Sequence, residues 1–283
     1  MKARKATFAG SWYPDRPDDC EREISAFVKA MDVSSLSREK PVGGIVPHAG
    51  WYFSGSIACN VIRCLGSGST PEVIVVFGMH LSPRSPNYIM ADGAWETPFG
   101  DIQIEEPLAR ALLQRFPFKQ ETVDDYNRDN TIELQLPFIK YFYRDATIIP
   151  IGVPPVRDSL QIGRAAVEIA TQKGLNLKVI GSTDLTHYGF NYGFVPQGTG
   201  PRAIKWVRDE NDKRIIDTML SLDAEKVIEE GLTHQNSCCA GAAATAITAG
   251  RALGADSAEL LAYANSHEKS PGESFVGYAG IIF

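Results

Sequence analysis

The chain has 283 residues, 44% hydrophobic and 22% charged, a balance ordinary for globular proteins and ample for a buried core without disulfide staples. A formal net charge of −6 argues against nucleic acid as a partner, because phosphate binding needs a basic face. The most apolar run, VIVVFGM, is far too short to span a bilayer, and no apolar signal core follows Lys2, Arg4 and Lys5, so the expectation is a cytoplasmic protein with no membrane partner.

In chain order, Cys20, Ile24, Phe27, Val28 and Met31 give the first helix an apolar stripe, and VGGIVP (42–47) reads as a buried strand. A helix is expected over 51–65, with Ile57, Val61 and Leu65 on one face. EVIVVFG (72–78) is the clearest strand, being rich in β-branched residues. NYIM (87–90) and DIQIE (101–105) read as short strands, and Pro107 opens a helix whose apolar side holds Leu108, Ala111 and Leu112. A helix over 130–142 is expected to kink or end at Pro137. ATIIPIGV (146–153) is a strand, and a helix at about 158–173 is closed by Gly174. LKVIGS (177–182) is a strand, FVPQGTGP (194–201) is a surface loop or lid, and helices follow near 203–220 and 223–230. The Ala-rich stretch 238–253 reads as a tightly packed helix, and ELLAYAN and SFVGYAGIIF complete the sheet. No repeat or linker divides residues 1–283, so the alternation implies one three-layer α/β domain with a mixed, largely parallel central sheet.

Three predicted strands end in the same way: GGIVP at His48, EVIVVFGM at His80, and LKVIGS just before Asp184 and His187. Ligands of open α/β sheets bind beyond the carboxyl ends of the strands, so parallel strands would gather these side chains on one rim. Pro47 and Gly50 fix the backbone around His48, whereas His234 and His267 fall in polar loops. Imidazole suits zinc, iron and copper, and a third ligand would come from Asp184 or from Cys239, which stands at a helix start that favours thiolate. Cys20, Cys59 and Cys64 read as core residues. The odd count of five cysteines, without a C-x-x-C, fits a reducing compartment. Trp12, Tyr13, Trp51, Tyr52 and Phe53 would wall a pocket or fill the core, and spacing alone favours core.

In order, AGSWYP, PHAGWYFSG, FGMHLSP, TPFGDIQIE, DNTIELQLPF, GSTDLTHYG and CCAGAAA resemble the Memo family, whose prokaryotic members are labelled component B of the AmmeMemoRadiSam group. The resemblance spans nearly the whole chain. That family is similar to class III extradiol dioxygenases, non-heme iron enzymes that cleave catechol rings, which implies the same α/β fold with a metal pocket at the strand ends. The implied metal ligands are His48, His80 and Cys239, with Cys238 the alternative that the doublet leaves open. Asp184 and His187 would line the same pocket, with Cys239 counted among the reactive groups, and Trp12, Trp51, Tyr52, Asn130 and Glu133 would surround the substrate. Two departures stand out. Asp129, Asn130 and Thr131 replace the usual Glu-His-Ser, removing a titratable group, and Ala240 stands where many members carry glycine.

Three functions follow as expectations. The first is a metal-dependent redox or dioxygenase-like enzyme holding iron or copper (zinc suits the same donors), with His187 as acid or base oriented by Asp184. The second is a metal-free thiol hydrolase or transferase with Cys239 as nucleophile. The third is a scaffold, since eukaryotic Memo relatives are discussed as signalling adaptors that recognise phosphopeptides. The partner would be an unknown small molecule or a peptide, and the group name implies a functional link to radical-SAM and AMMECR-type proteins.

Overall fold

The apolar runs with the most β-branched residues become the centre of the sheet. In the computed structural model, which describes residues 2–33 and 40–283, β1 (Ala3–Arg4) and α1 (Pro17–Ala30) precede β2 (Gly43–Val46). A π-helical turn at Trp51–Gly55 leads into α2 (Ser56–Cys64), then β3 (Val73–Gly78), β4 (Asn87–Met90), β5 (Ala94–Trp95) and β6 (Ile102–Gln103). Next come α3 (Glu106–Arg115), β7 (Phe118–Glu121), α4 (Asn130–Glu133), α5 (Leu136–Phe142), β8 (Thr147–Gly152), α6 (Ser159–Gln172), β9 (Leu177–Ser182) and β10 (His187–Tyr188). The chain closes with α7 (Pro201–Trp206), a π-helical turn at Val207–Asn211, α8 (Asp212–Leu220), α9 (Ala224–His234), α10 (Ala240–Ala252), β11 (Glu259–Asn265) and β12 (Phe275–Ile282).

Among the described residues the main sheet runs β10-β12-β2-β9-β3-β8-β4-β7, with β11 also paired to β12. Its centre is parallel: Val46 pairs with Ser182, Val73 with Leu177 and Val73 with Thr147. β12 joins β2 and β4 joins β8 antiparallel, so the expected mixed, largely parallel sheet is what forms. β2, β3 and β9 are buried throughout, as strands covered on both faces must be. α10 and α6 pack on one face and α1, α2 and α5 on the other, making three layers. The alanines of α10 allow an unusually close approach to the sheet: a Cβ placed on Gly181 would stand 2.8 Å from Ala246 Cβ and 2.9 Å from the Ala242 carbonyl oxygen.

Local chemistry explains where the chain departs from the expected elements. The helix expected over 51–65 begins as a wider π turn. The stretch 130–142 is two helices, because Pro137 has no N–H to continue the ladder and instead sits in the first turn of α5. The helix near 203–220 is interrupted by a π turn. Gly174 closes α6 at φ 70° as expected. Phe118–Glu121 is an edge strand whose sequence, FKQE, carries no strand pattern.

A small sheet of β1, β5 and β6 anchors the N-terminus. Arg4 is buried there between the rings of Trp95 and Tyr126, with Nη1 2.6 Å from Glu121 Oε2. Among the described residues no helix is long and apolar enough to cross a membrane.

Gly181→Ala should lower stability by about 1–3 kcal/mol through overpacking, seen as a lower urea midpoint with an unchanged slope. Wild-type stability in that variant would contradict the tight α10–β9 contact.

Candidate metal centre

Because β2, β9 and β3 are adjacent and parallel, the residues that follow them meet beyond one edge of the sheet. His48 lies two residues past β2, His80 two past β3, and Asp184 two past β9. Their segments are tied by hydrogen bonds rather than by proximity alone. The His48 backbone N–H donates to Asp184 Oδ1 at 2.7 Å. Asn130 Nδ2 donates to the His48 carbonyl at 3.0 Å, and Gln135 Nε2 to the Pro47 carbonyl at 3.0 Å.

One contact settles the tautomer of His48. Ser182 Oγ donates its only proton to the Thr131 carbonyl at 2.7 Å, so at 3.0 Å it accepts from His48 Nδ1. Nε2 is thereby left facing Cys238 Sγ, 3.3 Å away. This is the arrangement that orients a metal-ligating histidine, with one nitrogen held by a neighbour and the other presented.

His80 is delivered by strained backbone. Met79 adopts φ 72°, a left-handed conformation that side chains with a Cβ rarely take. Its N–H donates to Thr131 Oγ1 at 2.7 Å, and that hydroxyl in turn donates to Asp129. Thr131 comes this near only because residue 78 is glycine, where a Cβ would stand 2.3 Å from Thr131 Oγ1. Asp129 Oδ2 lies 3.9 Å from His80 Nδ1. The His48 and His80 rings meet edge to face, with centroids 4.9 Å apart.

The remaining donors are sulfurs. The ligand atoms of His48, His80, Cys238 and Cys239 all lie within 4.8 Å of one another. The thiol in contact with imidazole is that of Cys238, the alternative that the doublet leaves open, and Cys239 belongs to the same group. Cys239 caps α10 with its backbone and sits one step deeper, its sulfur 3.7 Å from that of Cys238. Burial raises the cost of charging Cys238, but the Cys239 thiol and the two imidazoles outweigh it and hold its thiol well below the usual range. Cys239 moves the other way, through burial and the adjacent Cys238 charge. All five cysteines are free thiols.

His48 is 2% exposed. Burial works against its charge, yet Asp184 and Cys238 more than compensate and push it up to about 9. His187 is likewise opposed by burial and raised by Asp184 and Cys238. Its Nε2 stands 3.8 Å from Asp184 Oδ2, an ion-pair distance too long for a hydrogen bond, and that buried nitrogen has no hydrogen-bond partner.

These groups open onto a cavity of about 540 Å³ lined by His48, His80, Asp184 and His187, together with Trp12, Tyr52, Phe53, Asn130, Tyr192 and Tyr278. Trp12, Tyr52 and Asn130, expected around a substrate, line this cavity. Trp51 does not: it is 1% exposed, stacks on Phe138 at 4.1 Å and donates to the Leu134 carbonyl. Glu133 also faces away, accepting from the Phe8 backbone N–H at 2.7 Å, Thr7 Oγ1 at 3.0 Å and Tyr13 O–H at 3.1 Å. Those bonds hold the strap that carries Trp12 to the cavity. The sequence does not point to Tyr192, Tyr278 or Ser182: Tyr278 arrives on β12 from the far end of the chain, and no local pattern ties it to the site.

The family model described as Memo-like protein matches residues 4–282. A MEMO1 family protein of Pyrococcus furiosus is 34% identical over 99% of this chain and 98% of its own length. One from Methanopyrus kandleri is 31% identical over the same shares. The crystal structure of an uncharacterized protein from Escherichia coli K12 superposes with a TM-score of 0.52 at 10% identity, covering 85% of this chain and 98% of that one, a likeness of fold alone.

In the metal-free protein His48 should stay protonated through neutral pH and titrate near 9. Since its folded value exceeds the unfolded one, its contribution to stability should be complete below about pH 6.5 and fade as pH rises through 9. Asp184→Asn should bring the midpoint down. Ring nitrogen-15 shifts against pH read both effects, and a His48 that is neutral at pH 7 in the wild type contradicts them.

Proposed function

The chain belongs to the Memo-like protein family, and on that premise we propose that it is a metal-dependent redox enzyme holding iron or copper and acting on a small organic molecule. The observation that carries this reading is the gathering of two imidazoles and thiol sulfur from three distant segments to within 4.8 Å. The residues fit the ion: His48 has Nδ1 engaged by Ser182 and Nε2 turned to Cys238, whose thiol is depressed. His48, His80 and Cys238 would hold the metal, and thiolate in place of a carboxylate ligand favours a softer ion. When bound, such an ion supplies one-electron chemistry and Lewis acidity beside the cavity.

The chain's own groups supply the rest. His187 lines the cavity while its Nε2 lies inward toward Asp184, and an imidazole so placed suits proton transfer at a bound substrate. Asp184 orients it while pinning the His48 backbone. Trp12 and Tyr52, 42% and 64% exposed, stand at the mouth, where a bound substrate would cover them and exclude water. The five free thiols accord with a reducing, cytoplasmic setting.

A second reading, a metal-free thiol nucleophile, has in its favour the 3.3 Å contact between Cys238 and His48. Against it, the described residues that line the cavity include both imidazoles and neither cysteine, whereas a nucleophile must face its substrate.

Protein purified without chelators should carry iron or copper by elemental analysis. His48→Ala and His80→Ala should lose it by more than about tenfold, whereas His187→Ala should keep it within about twofold. Oxygen uptake screened over catechols and related phenols should reveal a substrate, with His187→Ala slowing turnover by about 10²–10⁴-fold. Equal and negligible metal in wild type and ligand variants would remove the proposal. Inactivation by an electrophile regardless of added metal would move it to the second reading.

A further inference from the structure

The metal reading above uses one sulfur, yet this chain places two at the site. Cys238 and Cys239 are sequence neighbours, and side chains of neighbouring residues usually diverge. Here the chain passes through a turn into α10 at Cys239, whose φ and ψ of −129° and 52° are not helical, and the two sulfurs turn to the same side, 3.7 Å apart. Two thiolates sharing one tetrahedral ion stand roughly 3.8 Å apart, since each lies about 2.3 Å from it. The pair therefore already has the spacing of two ligands on one edge of a tetrahedron. His48 Nε2, 3.3 Å from Cys238 Sγ, is close to the roughly 3.5 Å that an imidazole and a thiolate keep on such an ion.

The surroundings hold that turn in place. The Cys239 backbone N–H donates to Thr183 Oγ1 at 3.0 Å. The Cys238 N–H donates to the Asp184 carbonyl at 3.2 Å, and the Asp184 N–H returns a bond to Cys238 Sγ at 3.3 Å. Asp184 thus links the doublet to the backbone of His48. Cys239 is 4% exposed, so its sulfur is shielded from solvent but not from the other three donors.

We infer that Cys239 is a fourth protein ligand, so that this chain offers two imidazoles and two thiolates to a thiophilic ion such as Zn²⁺ or Cu⁺. The inference rests on the metal reading above and sharpens it. A closed set of two nitrogens and two sulfurs suits ions content with four-coordination and disfavours iron(II), which is served by imidazole and carboxylate with open positions. On loading, the Cys239 thiol proton and the proton shared between Cys238 Sγ and His48 Nε2 are released to solvent as the metal–sulfur and metal–nitrogen bonds form. A substrate that binds the ion directly must then displace a protein ligand.

The test uses the whole chain and Co²⁺ as probe. Cobalt-loaded wild type should show thiolate-to-metal charge-transfer absorption, which should fall to about half in Cys239→Ser and in Cys238→Ser and vanish in the double variant. Competition with a chromogenic chelator should show Zn²⁺ bound at least tenfold more weakly by Cys239→Ser, at least the loss typical of altering an outer partner. X-ray absorption of zinc-loaded wild type needs no variant and should report two sulfur scatterers. One sulfur scatterer, or a Cys239→Ser spectrum and affinity within twofold of wild type, overturns the inference and leaves the three-ligand site standing. A wild type that takes up neither probe overturns both.

Discussion

A single carboxylate holds the site together. Asp184 accepts the His48 backbone N–H at 2.7 Å, joining the ends of β2 and β9. Its backbone bonds to both sides of Cys238, and its side chain faces the His48 and His187 rings at 3.9 and 3.8 Å. At 4% exposure it acts in a medium where charge is poorly screened, so its influence on two buried imidazoles exceeds what it would have in water.

Burying a carboxylate, an imidazolium and a thiolate side by side is costly unless each finds a partner. Here they stand against one another, Ser182 Oγ accepts from the His48 ring, and the hydroxyls of Thr183 and Thr131 accept the Cys239 and Met79 backbone N–H groups beside them. The left-handed Met79 adds strain at the point where His80 is aimed, and the Thr131–Asp129 pair holds it there.

The cavity is likewise built by tension between distant parts. Arg4 locks β1 against Glu121, Trp95 and Tyr126. Glu133 then grips residues 7, 8 and 13, and the Trp12 carbonyl accepts the Trp51 N–H at 2.8 Å. The strap so held sets Trp12 on the wall of the cavity. A glutamate that a motif suggests as a substrate contact is instead the structural reason that an aromatic contact exists.

What the sequence by itself determined were the features with a local cause: the β-branched runs of β3 and β9, the proline entries of α3 and α5, the Gly174 cap, and the strand-end placement of His48, His80 and Asp184. Motif resemblance added the family. Other features were decided only by the tertiary structure. Whether Trp51 packs in the core or walls the cavity depends on where Phe138 lies, 87 residues away. Which cysteine meets His48 depends on one turn of backbone at the start of α10, where adjacent residues share composition and context but not direction. Periodicity and turn chemistry act over a few residues, whereas the convergence of segments near 48, 80, 184 and 238 follows from the order of strands in a sheet, which no local stretch encodes.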